Sequence, residues 1–343
     1  MNASSMAINP AFHAAARPEW DVPGLLDGLK RGDRQTLARA ITLVESRRAQ
    51  DQAFAQELLD QLQPKTPSET FRLGITGNPG AGKSTLIETL GQHWIAQGHR
   101  VAVLAIDPSS PQNHGSLLGD KTRMESLSRA QEAFIRPSPS AGALGGLHTA
   151  MPEVIALCEA AGYDRILVET VGVGQNETAV TDVVDFVLLL ALPGAGDEVQ
   201  GLKRGVMEAA DAVFVNKADG ERLTMARDAQ RQLRQALQLF HREDGWEVPV
   251  AIGSALEPKS LLDLFDLLER GMRWFVSTGL SEKRRTAQQG VHFEQRLQAG
   301  LVQWVQTQHP AEWEALQKEV KEGRRSPAAA ALEFLSDLAA KNR

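Results

Sequence analysis

The chain has 343 residues, 37 Lys and Arg against 43 Asp and Glu, a net charge of −6, and a single cysteine, Cys158. That length exceeds one small core and suits a domain with flanking helices. The mixed charge with no basic stripe argues against a nucleic-acid partner, and one cysteine excludes an intramolecular disulfide framework and suits a reducing cytosol.

Residues 1–18, with Pro10, Pro18 and many small side chains, read as a disordered N-terminus. Residues 19–67 read as an N-terminal helical region of two or three amphipathic helices. Leu37, Ile41, Leu43 and Val44 would form one buried face, and Phe54, Leu58, Leu59 and Leu62 another. Gln63-Pro64-Lys65-Thr66-Pro67 is a linker.

The next segment carries the first chemistry. An apolar strand, Phe71–Thr76, runs into Gly77-Asn78-Pro79-Gly80-Ala81-Gly82-Lys83-Ser84-Thr85, and apolar residues at helical spacing follow it. This is the G-x-x-x-x-G-K-[ST] loop in its strand-to-helix context. Glycines let backbone N–H groups turn inward onto phosphate oxygens, and the following helix offers its positive dipole end. Lys83 is expected to reach the β- and γ-phosphates and the Ser84 hydroxyl to ligate Mg²⁺. An ordinary glycine-rich turn would not need Lys-Ser after the last glycine.

Further strands are expected near 101–106, 133–136, 165–170, 185–191, 211–215 and 248–253, most separated by helix-length segments. The alternation predicts an α/β P-loop fold over residues 68–280, a mainly parallel sheet flanked by helices with ligand at the strands' carboxyl ends. Asp107 ends the second strand, Asp120 follows in Gly119-Asp120-Lys121, and Glu169-Thr170-Val171-Gly172 fits the [DE]-x-x-G loop that senses a γ-phosphate. Mg²⁺ needs one or two such carboxylates near Ser84, directly or through water. Each alone is equally readable as a turn or cap residue. Cys158 lies in an apolar run and reads as a small buried hydrophobe. Pro193-Gly194-Ala195-Gly196-Asp197-Glu198, followed by Lys203-Arg204, is a glycine-rich loop with opposed charges.

Base identity comes from Asn216-Lys217-Ala218-Asp219, directly after the apolar run Ala212–Val215. An Asp219 carboxylate there accepts from the ring N–H and exocyclic amine of guanine. Facing adenine it would be left unpaired, at a cost of roughly 1–3 kcal/mol. Lys217 would lie along the base and brace the phosphate loop. Ser254-Ala255-Leu256, after the last strand, would supply a backbone contact to the guanine oxygen. Residues 281–343 show only helical periodicity, through His292, Phe293, Leu297, Leu301 and Trp304, and need a surface to pack on. No stretch approaches about 18 uninterrupted apolar residues and the N-terminus lacks a signal pattern, so a soluble cytoplasmic protein without membrane contact is expected.

Together Asp107-Pro108-Ser109-Ser110, Gly119-Asp120-Lys121-Thr122-Arg123-Met124, Ile135-Arg136-Pro137-Ser138-Pro139, Glu169-Thr170-Val171-Gly172-Val173-Gly174-Gln175 and Pro193-Gly194-Ala195-Gly196-Asp197 closely resemble the MeaB/ArgK GTPases. These are the G-protein chaperones of methylmalonyl-CoA mutase and its adenosylcobalamin-dependent relatives. The resemblance is strong over residues 25–280 and loose in the tail. It implies a homodimer with a C-terminal dimerisation arm that uses GTP binding and hydrolysis to gate cofactor loading and to protect or reactivate its mutase. Lys83, Ser84, Asp107, Asp120 and Glu169 match the phosphate and Mg²⁺ set, Glu169–Gln175 the second switch, and Pro193–Arg204 a third switch with Lys203 as its mobile cation. Lys83, Glu169, Gly172 and Lys203 are thereby the candidate catalytic residues. Where the family shows Thr-Gly-Gly-Ser in the first switch, this chain has Asn113-His114-Gly115-Ser116. His114 in place of glycine stiffens that loop and adds a titratable group.

Two other functions compete. A nickel-inserting metallochaperone GTPase would need grouped soft or imidazole ligands, whereas His13, His93, His99, His114, His148, His241, His292 and His309 are scattered. A kinase linked to amino-acid transport would need an acceptor or base constellation beyond the nucleotide parts, and none is evident. Val173 stands where a water-orienting Gln would follow the switch glycine, so slow intrinsic turnover accelerated by the mutase is expected.

Overall fold

A computed structural model describes residues 20–46, 48–107, 124–139, 150–170, 179–194, 204–240 and 242–341. The described chain divides into two compact units between Arg285 and Thr286.

The first unit opens with three helices, α1 (Val22–Lys30), α2 (Arg34–Val44) and α3 (Ala49–Asp60). Asp21 and Asp33 start the first two by accepting the otherwise orphaned N–H groups of Gly24, Gln35 and Thr36. Leu37, Ile41, Leu43, Val44 and Leu58 are buried, and Phe54, Leu59 and Leu62 pack against them, as the apolar spacing requires. Seven strands follow: β1 (Phe71–Gly77), β2 (Val101–Asp107), β3 (Ala133–Pro139), β4 (Arg165–Thr170), β5 (Phe186–Ala191), β6 (Ala212–Val215) and β7 (Val250–Ile252). They form one parallel sheet in the order β3-β2-β4-β1-β5-β6-β7. Its helices are α4 (Lys83–Ala96), α5 (Glu125–Arg129), α6 (Met151–Ala160), α7 (Arg204–Ala209), α8 (Leu223–Leu237) and α9 (Leu262–Ser277).

The pleat sorts side chains onto two faces. Phe71, Leu73, Ile75, Leu167, Phe186 and Leu188 pack with Leu86, Leu90 and Trp94 of α4 and with Leu264, Leu268 and Phe275 of α9. Ala102, Leu104, Ile166, Val168 and Val187 pack on the other face with α1–α3 and with Ile155 and Cys158 of α6. Cys158 is fully buried, and burial pushes its thiol pKa upward, so it is the inert hydrophobe its setting implied. Toward the β7 edge a third group forms, with Val213 and Val215 against Ala226, Ala229 and Leu233 of α8. β7 is shorter than the expected 248–253: Pro249 has no N–H to donate, its carbonyl accepts from Val213, and the ladder begins at Val250.

Sheet order decides where a ligand meets the fold. The chain leaves β1 toward β2 and β3, returns to β4 beside β1, and continues to β5 on β1's other side. The reversal at β1 makes its carboxyl end a topological switch point, and the phosphate loop stands there.

The second unit runs from Thr286 through the rest of α10 (Leu280–Gln308), α11 (Pro310–Lys321) and α12 (Pro327–Lys341). Phe334 meets His309 and Trp313 edge-on and holds α12 to α11. Phe293, Leu297 and Leu301 are 65, 49 and 54% exposed. Spaced by four residues, they lie along one side of α10. Among the described residues no helix is long and apolar enough to cross a membrane.

Candidate functional site

The loop from Gly77 to Gly82 joins β1 to α4. Gly82 caps the helix with φ +91°, a left-handed conformation that side chains resist. A Cβ there would also lie 2.5 Å from Asn216 Nδ2. Asn78, Pro79 and Gly80 are exposed at the loop's crest, while Ala81 is buried. The Lys83 ammonium folds over this crest, donating to the carbonyls of Gly77 at 2.8 Å and Asn78 at 3.2 Å. One residue on, Ser84 Oγ donates to Glu169 Oε1 at 3.0 Å. Glu169 stands near the end of β4 in register with Ile75 of β1, which is how residues 85 positions apart meet. Thr85, next on α4, turns its carbonyl to Thr89 Oγ1.

The base motif leaves β6 two strands away. Asn216 is buried and its side-chain amide spans two loops: Nδ2 donates to Ala81 O at 2.7 Å, and Oδ1 accepts from Ala255 N–H at 2.9 Å. Lys217 is the one non-glycine residue with positive φ among those described, at 59°, and this kink turns the chain toward Asp219. Asp219 Oδ2 pairs with Arg222 Nη2 at 2.7 Å, which holds the carboxyl below the usual carboxylate range. Its Oδ1 is buried and makes no hydrogen bond of standard geometry among the described residues, although the Ser254 side chain lies close enough to help hold the carboxyl ionised. Ser254 and Ala255 are buried, whereas Leu256 is 76% exposed. Since Ala255 N–H is taken by Asn216, Leu256 is the residue of that run at the surface.

Asp107 closes β2, next to β4 in the sheet. Asp120, Gly172 and Lys203, and with them Asn113-His114 and Gln175, lie outside the described residues. The donors brought together, a hydroxyl and a carboxylate, form a hard oxygen set of the kind Mg²⁺ takes, and the phosphate loop beside them fits a polyphosphate. A cavity of about 1100 Å³ beside the β7 edge, lined by Arg234, Trp246, Pro249 and Arg270 among others, contains none of these motif residues.

Three features were not read from the sequence. The double role of Asn216 is one; the motif flags the residue but not its partners. Thr89 Oγ1 contacts Ala255 O at 2.9 Å, with no signature beyond a threonine on the phosphate-loop helix. Glu88 accepts from the Ser126 and Leu127 N–H groups and so caps α5 from α4. Glutamate three or four residues past a phosphate loop carries no such message by itself.

The family model described as methylmalonyl-CoA mutase-associated GTPase MeaB matches residues 37–310. A probable GTPase of Mycobacterium bovis is 46% identical over 328 residues, covering 95% of this chain and 97% of the relative. GTPase ArgK of Escherichia coli is 50% identical over 69% of this chain and 72% of its own. The mitochondrial methylmalonic aciduria type A homolog of Mus musculus is 42% identical, over 90% and 78%. A crystal structure described as LAO/AO transport system kinase superposes with a TM-score of 0.70 at 34% identity, over 95% of this chain and 99% of that one. On this similarity the chain belongs to the MeaB family of GTPases.

Proposed function

We propose that this protein binds GTP and hydrolyses it to GDP and phosphate with Mg²⁺, as a chaperone of an adenosylcobalamin-dependent acyl-CoA mutase of the methylmalonyl-CoA mutase type. The observation that carries the nucleotide part is the Asn216 side chain, which joins the phosphate loop at Ala81 to the base loop at Ala255. A strand end that clamps both loops at once gives one ligand a phosphate end and a base end. The partner rests on the description of the matching family and the names of the relatives.

In this reading the loop N–H groups from Asn78 to Thr85 and the Lys83 ammonium surround the β- and γ-phosphates. Lys83 moves from the Gly77 and Asn78 carbonyls to phosphate oxygens, a short exchange of acceptors. Ser84 and Glu169 would hold Mg²⁺, with Asp107 and Asp120 completing the set directly or through water. When bound, the ion would neutralise charge that builds on the transferring phosphoryl group. By the family resemblance, Gly172 would donate its N–H to the γ-phosphate and Lys203 would supply a second positive charge. Asp219 Oδ1 takes guanine's N–H donors, and the Ser254–Leu256 backbone takes its carbonyl oxygen.

Turnover by the purified protein, alone and with such a mutase, against ATP, tests the whole. Slow GTP-specific hydrolysis that rises with the mutase is expected; GTP turnover indifferent to every such mutase would remove the client and leave the GTPase. Phosphate transferred to a protein rather than to water would favour a kinase. Base selection has its own test: Asp219→Asn should weaken GDP by about 100-fold and ADP hardly at all. Equal weakening of both would show that Asp219 does not read the base.

The Phe293, Leu297 and Leu301 stripe supports a homodimer, since a second copy of α10 would cover what one chain exposes. Phe293→Glu with Leu297→Glu should halve the mass measured by light scattering. A monomeric wild type at micromolar concentration would sink this assignment. For location we propose the cytoplasm.

A further inference from the structure

Ala255 is almost fully buried, at 4% exposure, yet it sits in a loop with no strand or helix to satisfy its peptide groups. Buried N–H and C=O groups are paired in nearly every folded protein. Here side chains pair both. The N–H donates to Asn216 Oδ1 at 2.9 Å, and the carbonyl accepts from Thr89 Oγ1 at 2.9 Å. Ser260 Oγ pins the preceding residue by accepting from Ser254 N–H at 2.8 Å. The base loop is therefore suspended from β6 and α4 by side chains.

Thr89 is the less expected of these. A threonine hydroxyl in a helix ordinarily turns back to the carbonyl four residues earlier, and Thr85 O lies within reach at 3.1 Å. A hydroxyl has one hydrogen to give, and the loop carbonyl is the closer acceptor. Thr89 stands on the helix that begins with Lys83 and Ser84. Together with Asn216, which reaches Ala81, it ties the base loop to the elements that would hold the phosphates.

We propose that Thr89 is a positioning residue for guanine recognition: its hydroxyl fixes the Ser254–Leu256 backbone against the phosphate-loop helix, and so sets the donor that meets the carbonyl oxygen of the base. This rests on the guanine-nucleotide reading above. The contact acts on the base carbonyl, which guanine and hypoxanthine share and adenine lacks. It does not act on the exocyclic amine, which belongs to Asp219.

Thr89→Val keeps the shape and removes the donor; Thr89→Ser restores the donor. Equilibrium binding of GDP, IDP and ADP to the full-length protein separates the possibilities. Thr89→Val should weaken GDP and IDP by the same factor, about five- to tenfold, leave ADP unchanged, and be rescued in Thr89→Ser. A merely structural role would weaken all three together. GDP binding unchanged in Thr89→Val, or ADP weakened to the same degree, overturns the role of Thr89 while leaving the guanine reading intact. A wild-type protein that binds ADP as tightly as GDP would overturn the guanine reading itself.

Discussion

Lys83→Ala should lower kcat/KM for GTP hydrolysis by about 1000-fold, equivalent to ~4 kcal/mol of transition-state stabilisation. Lys83 is 8% exposed and its ammonium sits over the loop crest on two carbonyls, so its charge is held where phosphate oxygens would lie. Alanine removes the charge and leaves the Asn78 carbonyl at the exposed crest, where water can reach it. The fold should survive, with a melting temperature close to wild type. Glu169→Gln provides the contrast. Glutamine still accepts from Ser84 Oγ, so the local bond persists, but a neutral amide is a poor Mg²⁺ ligand. The Mg²⁺ concentration for half-maximal turnover should rise by about 10- to 100-fold in Glu169→Gln and stay near wild type in Lys83→Ala. Hydrolysis by Lys83→Ala within tenfold of wild type would mean that this loop is not where GTP is cleaved.

The strands were legible because a parallel sheet covered on both sides demands apolar runs. Phe186–Ala191 and Ala212–Val215 are buried throughout, and runs this short are of strand rather than helix length. Their order in space was not legible, because β4 pairs with β1 through contacts about a hundred residues apart and nothing local specifies that neighbour. The same divide runs through the site. The glycines, Lys83 and Ser84 form one run and Asn216–Asp219 another, and the spacing within each run reflects a local backbone geometry that the sequence displays. Glu169 was identifiable as a type, and its bond to Ser84 follows from the β1–β4 register. Thr89 and Glu88 lack any such spacing, since each acts on a loop supplied by a distant segment. Asp185 and Asp211, each directly before an all-apolar strand, were not singled out from the sequence, although a buried acid at such a place must find a partner. The sequence leaves open which of the 37 basic residues it finds.

Those partners are Arg284 and Arg285, and Arg285→Met should destabilise the first unit by about 3–5 kcal/mol. Asp185 and Asp211 are 1% and 0% exposed at the foot of β5 and β6. Arg285 grips Asp185 with two bonds, Nε to Oδ1 at 2.7 Å and Nη2 to Oδ2 at 2.6 Å. It also donates to the carbonyls of Lys65 and Thr70 at 2.9 and 3.0 Å, where the chain enters β1. Arg284 reaches Asp211 at 2.7 and 3.0 Å, and Arg242 shares that carboxylate at 2.9 Å. Burial alone would lower the Arg285 pKa, but its bonds and attraction to Asp185, together with the nearby Glu159 and Glu69, outweigh burial and hold it above the ordinary arginine value. Methionine fills the volume of the arginine stem while leaving the Asp185 carboxylate, among the described residues, with the Arg72 N–H as its one hydrogen-bond donor. The large cost comes from that stranded carboxylate more than from lost attraction. Arg285→Lys keeps the charge but cannot reproduce the fork, so it should fall between wild type and methionine. Asp185→Asn combined with Arg285→Met removes both charges and should recover at least about 1 kcal/mol relative to Arg285→Met alone. Urea denaturation followed by circular dichroism reads all four proteins. An Arg285→Met loss below about 1 kcal/mol, with no recovery in the double variant, would show that solvent reaches Asp185 and that the pair does not hold the foot of the sheet.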